Sequence, residues 1–266
     1  LRRNFVPRAA MPWKTPVLAT YDSGDFLANM ELAVEHADWK GFEVRRAEAA
    51  KRGKLRGIGM SYYLEVTAAG AEAAEIRFEP DGRVFLGIGA GPSGQGHETA
   101  FPQVIEDKLG IAYDKIDLVF GDTDKVKTGT GTGGARSLLV AGTAMIDASQ
   151  KIVAKGKKLA GHFLEASEQD IEFKDGNFTI AGTDRFINIM ELAKRTREAT
   201  NLPEGMPATL DETGNCNNPN NTFPNGCHVC ELEIDEDTGA TDIVLYAGTL
   251  VTGMFRFRAA SVSTIL

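Results

Sequence analysis

Two glycine-rich runs carry the residues best suited to chemistry: GIGAGPSGQGHETA at residues 87–100 and TGTGTGGARS at residues 128–137. Glycine lets main-chain N–H groups converge on an anion without interference from Cβ. A helix starting directly after each run adds further N–H donors and the positive end of its dipole. The side chains in these runs suit a flat, polar ligand. Gln95 donates and accepts in one plane, Arg136 offers a fork of donors to phosphate, and His97, Thr99, Thr132 and Ser137 supply further hydrogen-bonding groups. Two such cradles in one chain imply a large anionic cofactor touched at two points.

Gly89, Gly91 and Gly94 satisfy the G-x-G-x-x-G string after a strand-like run, so a Rossmann-type NAD or FAD domain is the alternative reading. Spacing counts against it. Pro92, Gly94 and Gly96 prolong the loop, and helical periodicity begins only near Thr99. The next acid after an apolar run, Asp122, lies beyond the expected ~20 residues. No Walker lysine follows the glycines, because Gly96 leads to His97 and Gly134 to Ala135, Arg136 and Ser137, which argues against a nucleoside triphosphatase. Glu98, a conceivable general base, is better explained as an acid stabilised by a helix N-terminus. Cys227 and Cys230 have a ligand-like spacing, but a zinc or iron–sulfur site needs about four ligands. In the strand CHVCELEID the two thiols point to opposite faces. We read them as incidental.

The elements that must position these loops follow from periodicity. GDFLANMELAVEHADW and residues 42–51 have helical patterns, and strands follow between residues 56 and 89 with a turn at Pro80, Asp81 and Gly82. A short helix is expected from Thr99 to Leu109 with Glu98 or Thr99 near its cap, then a buried-type strand IDLVF, then a long helix over residues 137–165. IEFKDGNFTI reads as a hairpin about Asp175 and Gly176, and INIMELAKRTREA as an amphipathic helix. Residues 201–226, with four prolines, read as one long surface loop before the hairpin CHVCELEID and TDIVLY. Helices and strands mix without strict alternation, so the expected class is α+β, with mixed sheets and packed helices.

Composition sets outer limits. With 266 residues and 42% hydrophobic residues the chain has ample core-forming material for one large or two ordinary domains. A formal charge of -8 argues against a nucleic-acid or anionic-membrane surface. No run approaches the roughly 20 apolar residues of a membrane span, nothing apolar follows Arg2 and Arg3, and three cysteines fit a reducing compartment. The expected location is cytoplasmic.

GPSGQGHETAFPQVIEDKLGI followed by DLVFGDTDKVKTGTGTGGARSLLVAGTA resembles the molybdenum-binding large subunit of the xanthine dehydrogenase and aldehyde oxidase family, in its carbon monoxide dehydrogenase large-chain branch. LRRNFVP, TYDSGDF and GCHVCELEIDEDTGATDIV support the likeness, which covers residues 1–246. The resemblance implies molybdopterin cytosine dinucleotide with molybdenum as cofactor. Gly94, Gln95, Gly96, His97 and Thr99 would face the pyranopterin and its dithiolene. Thr130, Thr132, Gly133, Gly134, Arg136 and Ser137 would hold the pterin and the phosphates. It also implies a small-molecule substrate (an aldehyde, an N-heteroaromatic or carbon monoxide) hydroxylated or oxidised with oxygen from water. Iron–sulfur clusters and FAD are expected on small and medium partner subunits, in a homodimer of the complete heterotrimer. Because the dithiolene holds the molybdenum, no metal ligand is assigned to this chain, and because the family's catalytic glutamate segment has no counterpart in the sequence, no catalytic residue is assigned either.

Departures from the family pattern refine these expectations. Residues 1–20 are expected as a linker from a preceding part of the subunit, residues 21–246 as a partial second molybdopterin-binding domain, and residues 247–266 as a truncated or frame-shifted tail. The family's active-site loop and its G-x-G-E glutamate segment have no counterpart in the sequence, so the chain is expected to be a piece of a catalytic subunit. Pro102 is expected to be tolerable only in the first turn of its helix.

Overall fold

The computed structural model describes residues 1–217, 219–250 and 253–258. In chain order the elements begin with β1 (Trp13–Lys14), β2 (Thr20–Tyr21), α1 (Phe26–His36), α2 (Phe42–Ala50) and β3 (Lys54–Leu64). They continue with β4 (Ala71–Phe78), β5 (Val84–Ile88), α3 (His97–Leu109), β6 (Ile116–Val119) and α4 (Ser137–Leu164). Next come β7 (Ile171–Lys174), β8 (Asn177–Ile180), β9 (Phe186–Asn188), α5 (Ile189–Glu198) and β10 (Glu212–Asn217). The last three strands are β11 (Asn225–Asp235), β12 (Thr241–Leu250) and β13 (Gly253–Arg258). The class is α+β, as expected. Among the described residues no helix is long and apolar enough to cross a membrane.

Contacts divide the chain into two units, Leu1–Thr67 with Thr222–Leu266, and Ala68–Asn221. In the first unit the antiparallel sheet β13-β12-β11-β3 alternates along β11 from Cys227 onward. Cys227 and Val229 face the core with Met30 and Ala33 of α1, while Cys230 lies on the other face, half-exposed. The period-2 reading of the two thiols is therefore correct. Glu231 is fully buried yet held by Arg45 of α2 and by Arg56 of β3, the latter at 2.6 Å. Glu233 is gripped by Arg52 and by Arg56 at 3.0 Å. Buried carboxylates are tolerated only when paired in this way. Strands β12 and β13 include residues 247–250 and 253–258, whereas the remainder of the expected tail, residues 251–252 and 259–266, lies outside the described residues.

In the second unit the sheet order is β10-β4-β5-β6, antiparallel except for the β5–β6 pair. Its core joins Ile76, Leu86 and Ile88 of the sheet to Phe101, Ile105 and Leu109 of α3 and to the small-residue face Ala141, Ala144 and Ala148 of α4. The expected surface loop at 201–226 is corrected here, because it contains β10, which pairs with β4 along its length, and the first two residues of β11. The sequence ETGNCN lacks an apolar alternation. Its strand state comes from tertiary contact, since a Cβ on Gly214 would stand 2.0 Å from the Ala144 carbonyl oxygen of α4. A bare backbone is what lets helix and edge strand meet. The strand IDLVF also differs from expectation, since only Ile116 of β6 is buried. The helix expected from Ile187 begins at Ile189, because Ile187 and Asn188 belong to β9, and Asn188 caps α5 by accepting from the Met190 N–H at 3.0 Å.

α3 starts at His97, two residues earlier than the periodicity suggests, because Gly96 takes a left-handed conformation (φ 74°) and turns the chain into the helix. Pro102 therefore lies past the first turn. The carbonyl it leaves without a helical partner, that of Glu98, accepts the Tyr113 hydroxyl at 3.0 Å.

Candidate functional site

The five residues of β5 are all buried, so the strand is held from both sides and delivers the first glycine loop, residues 89–96, from a fixed base. The second loop leaves β6 and ends at α4, a helix of 28 residues rooted in the same core. The loops cross at Gly89 and Gly129. A Cβ on either glycine would lie 2.4 Å from the Cα of the other, so neither position admits a side chain.

Polar side chains tie the crossing together. Thr132 Oγ1 donates to the Gly91 carbonyl at 2.7 Å, and the buried Ser137 donates to Thr132 Oγ1 at 3.1 Å. Thr130 Oγ1 donates to the Ala71 carbonyl at 2.8 Å. The Arg136 guanidinium donates to the carbonyls of Ala69 at 3.2 Å and Thr130 at 2.7 Å. His97 is buried, stacks on Phe101 with ring centroids 4.5 Å apart, and places Nδ1 3.0 Å from the Ala90 carbonyl oxygen. Gln95 accepts the Ser93 N–H through its carbonyl oxygen, which leaves the amide nitrogen on an exposed residue.

The site residues expected from the sequence thus come together but divide into two groups. His97 and Ser137 are buried and Arg136 half-buried, and together with the exposed Thr130 and Thr132 they hydrogen-bond within their own unit and brace the loops. Gln95, Thr99 and the backbone of Gly94, Gly96 and Gly133 face outward, and at all three glycines a Cβ would meet no atom within 4 Å. Gly134 is packed against Ala68, whose N–H donates to the Gly134 carbonyl at 2.7 Å.

An anionic dinucleotide fits this arrangement. Neither α3 nor α4 has a side-chain cap at its N-terminus, and both helices begin at a glycine loop. Among the described residues Glu72 Oε2 and Arg136 Nε are buried without a partner, which adds polarity at the crossing. The Rossmann alternative fits less well. Only one strand pair in the sheet is parallel, and the Asp122 carboxylate is folded onto its own turn, where the Asp124 N–H at 3.0 Å holds its pKa low.

Two features are not anticipated by the motifs. A cavity of about 200 Å³ beside Gly89 and Gly129 is lined by Gly121, Asp122 and Lys127, whose ammonium donates to the Thr123 carbonyl at 3.0 Å. Glu72, 4% exposed, occupies the core-facing row of β4 with Ala74, Ile76 and Phe78. Its signal is a carboxylate in the apolar phase of the alternation AEAAEIRF.

Comparisons with known proteins agree with the geometry. Residues 32–249 match the family model described as molybdopterin cofactor-binding domain. The chain is 34% identical over 256 residues to the carbon monoxide dehydrogenase large chain of Afipia carboxidovorans, covering 89% of this chain and 31% of that one. It is 30% identical to the nicotine 6-hydroxylase large subunit of Paenarthrobacter nicotinovorans, covering 96% of this chain and 34% of that one. Among solved structures, quinoline 2-oxidoreductase from Pseudomonas putida superposes with a TM-score of 0.80 at 31% identity, covering 92% of this chain and 33% of that one. A copper- and molybdenum-containing carbon monoxide dehydrogenase gives 0.81 at 32% identity, with the same coverage. The chain spans about a third of the length of the curated relatives it matches.

Proposed function

Because the chain belongs to the molybdopterin cofactor-binding domain family, we propose that the crossed glycine loops of its second unit hold molybdopterin as the cytosine dinucleotide, within the catalytic subunit of a molybdenum hydroxylase. The observation that carries this reading is the crossing itself: two loops locked at Gly89 and Gly129, each running into a helix without a side-chain cap.

The chain's own residues divide the work. Backbone N–H groups at Gly94, Gly96 and Gly133, with the first turns of α3 and α4, supply donors to phosphate and pterin oxygens. The Gln95 amide nitrogen donates to the ring system, its carbonyl end being fixed by Ser93. His97, Thr132 and Arg136 keep the donors in place by holding loop carbonyls, and Ser137 holds the Thr132 hydroxyl. When bound, the group supplies the oxidation of an aldehyde, N-heteroaromatic or carbon monoxide carbon with water as oxygen source. Partner subunits carrying iron–sulfur clusters and FAD would take up the electrons. A cytoplasmic homodimer of such heterotrimers is the corresponding assembly. Glu98 lies in the exposed first turn of α3 and serves the helix dipole.

Gln95→Ala tests the reading. It should lower molybdenum and pterin content while changing stability by no more than about 0.5 kcal/mol. Full occupancy in this variant would remove Gln95 from the site.

A further inference from the structure

Glu72 stands where packing alone favours an apolar side chain. The row facing the core along β4 is Glu72, Ala74, Ile76 and Phe78, and burying a carboxylate there carries a desolvation cost that leucine or methionine would avoid. That cost is visible as a carboxyl pKa pushed up by burial, against the opposing pull of backbone N–H groups and of the Arg136 charge.

The N–H groups come from three places. Ala73 donates to Oε1 at 3.1 Å, and the backbone N–H groups of Gly89 and Thr130 also bear on the carboxylate. Gly89 opens the first glycine loop and Thr130 lies in the second. Oε1 packs into the crossing, 3.1 Å from where a Cβ of Gly89 would sit and 2.9 Å from that of Gly129. Cys216, the cross-strand neighbour of Glu72 on β10, is the other titratable group against it, and its thiol pKa is raised.

We propose that Glu72 is a positioning residue that fastens the two glycine loops into one rigid unit by accepting backbone N–H groups from both, and so controls retention of the cofactor without touching it. The loop fastening stands on the placement of Oε1 in the crossing, against both Gly89 and Gly129, with the pull of the Gly89 and Thr130 N–H groups on the carboxylate beside it. The effect on retention rests on the cofactor reading above.

Amide hydrogen exchange on the full chain, compared among wild type, Glu72→Gln and Glu72→Ala, tests this directly. The Gly89 and Thr130 amides should exchange roughly tenfold faster or more in Glu72→Ala. A smaller rise is expected in Glu72→Gln, which keeps a neutral acceptor, with the amide of Ile152 in α4 unchanged in both. Wild-type exchange at Gly89 and Thr130 in a folded variant overturns the proposal. If Glu72→Ala does not fold, Glu72→Gln decides by the same two amides. Pterin and molybdenum content of the same samples separates the two readings. Faster loop exchange in a protein that never acquires pterin keeps the fastening and removes the cofactor reading. Unchanged exchange with full pterin content does the reverse.

Discussion

Thr132 Oγ1 donates to the carbonyl of Gly91 at 2.7 Å, joining the second glycine loop to the first by a side chain that the sequence marks as a ligand. Thr132→Val should cost about 1 kcal/mol and lower cofactor content, whereas Thr132→Ser should retain both. Denaturant unfolding with metal analysis checks this, and equal behaviour of the two variants would show that the hydroxyl does not hold the loops.

The glycines of the two loops should respond to alanine in opposite ways. At Gly89 and Gly129 the added methyl meets backbone at 2.4 Å, so either substitution should destabilise by about 1–3 kcal/mol. At Gly133 the methyl enters open space. Gly133→Ala should leave the unfolding midpoint nearly unchanged but reduce cofactor content. If it leaves both unchanged, Gly133 does not face the ligand.

Pro102 and Tyr113 should be energetically coupled. Tyr113→Phe removes the donor to the Glu98 carbonyl and should cost about 0.5–1 kcal/mol. In a Pro102→Ala background the restored helical N–H serves that carbonyl, and the same change should cost almost nothing. A double-mutant cycle with no coupling would contradict this account.

The first unit should lose stability at both pH extremes. Glu233 is held below the usual carboxylate range, first by its hydrogen bond from Arg52 and also by Arg56. Its contribution is therefore complete above the unfolded-state pKa and is lost as pH falls through the folded one. Tyr62 moves the other way, with burial pushing its hydroxyl up to about 12. Its contribution is complete below the ordinary tyrosine value of about 10 and is lost as pH rises to 12. Unfolding midpoints across pH should show a flatter acid limb in Glu233→Gln and a flatter alkaline limb in Tyr62→Phe.

Strongly periodic segments are legible in the sequence alone. The α1 and α4 patterns, the hairpin at Asp175 and Gly176, and the alternation that separates Cys227 from Cys230 all follow from spacing. β10 is not legible there, because ETGNCN has no apolar phase and is a strand only through Gly214 against α4 and through its ladder with β4. The site shows a different limit. His97 and Arg136 have the chemistry of ligands, but spacing does not reveal whether a polar group faces outward or back onto its own loop. Both contact carbonyls of their own unit. Glu72 is legible in principle, as an acid in the buried phase of β4, but its partners lie in loops distant in sequence.

The cofactor claim is tested most directly by isolating the matured complex that contains this chain and measuring molybdenum together with nucleotide released by acid. The crossed loops predict molybdenum accompanied by a cytidine nucleotide in equal amount. A correctly matured, intact complex with neither metal nor nucleotide would contradict the account.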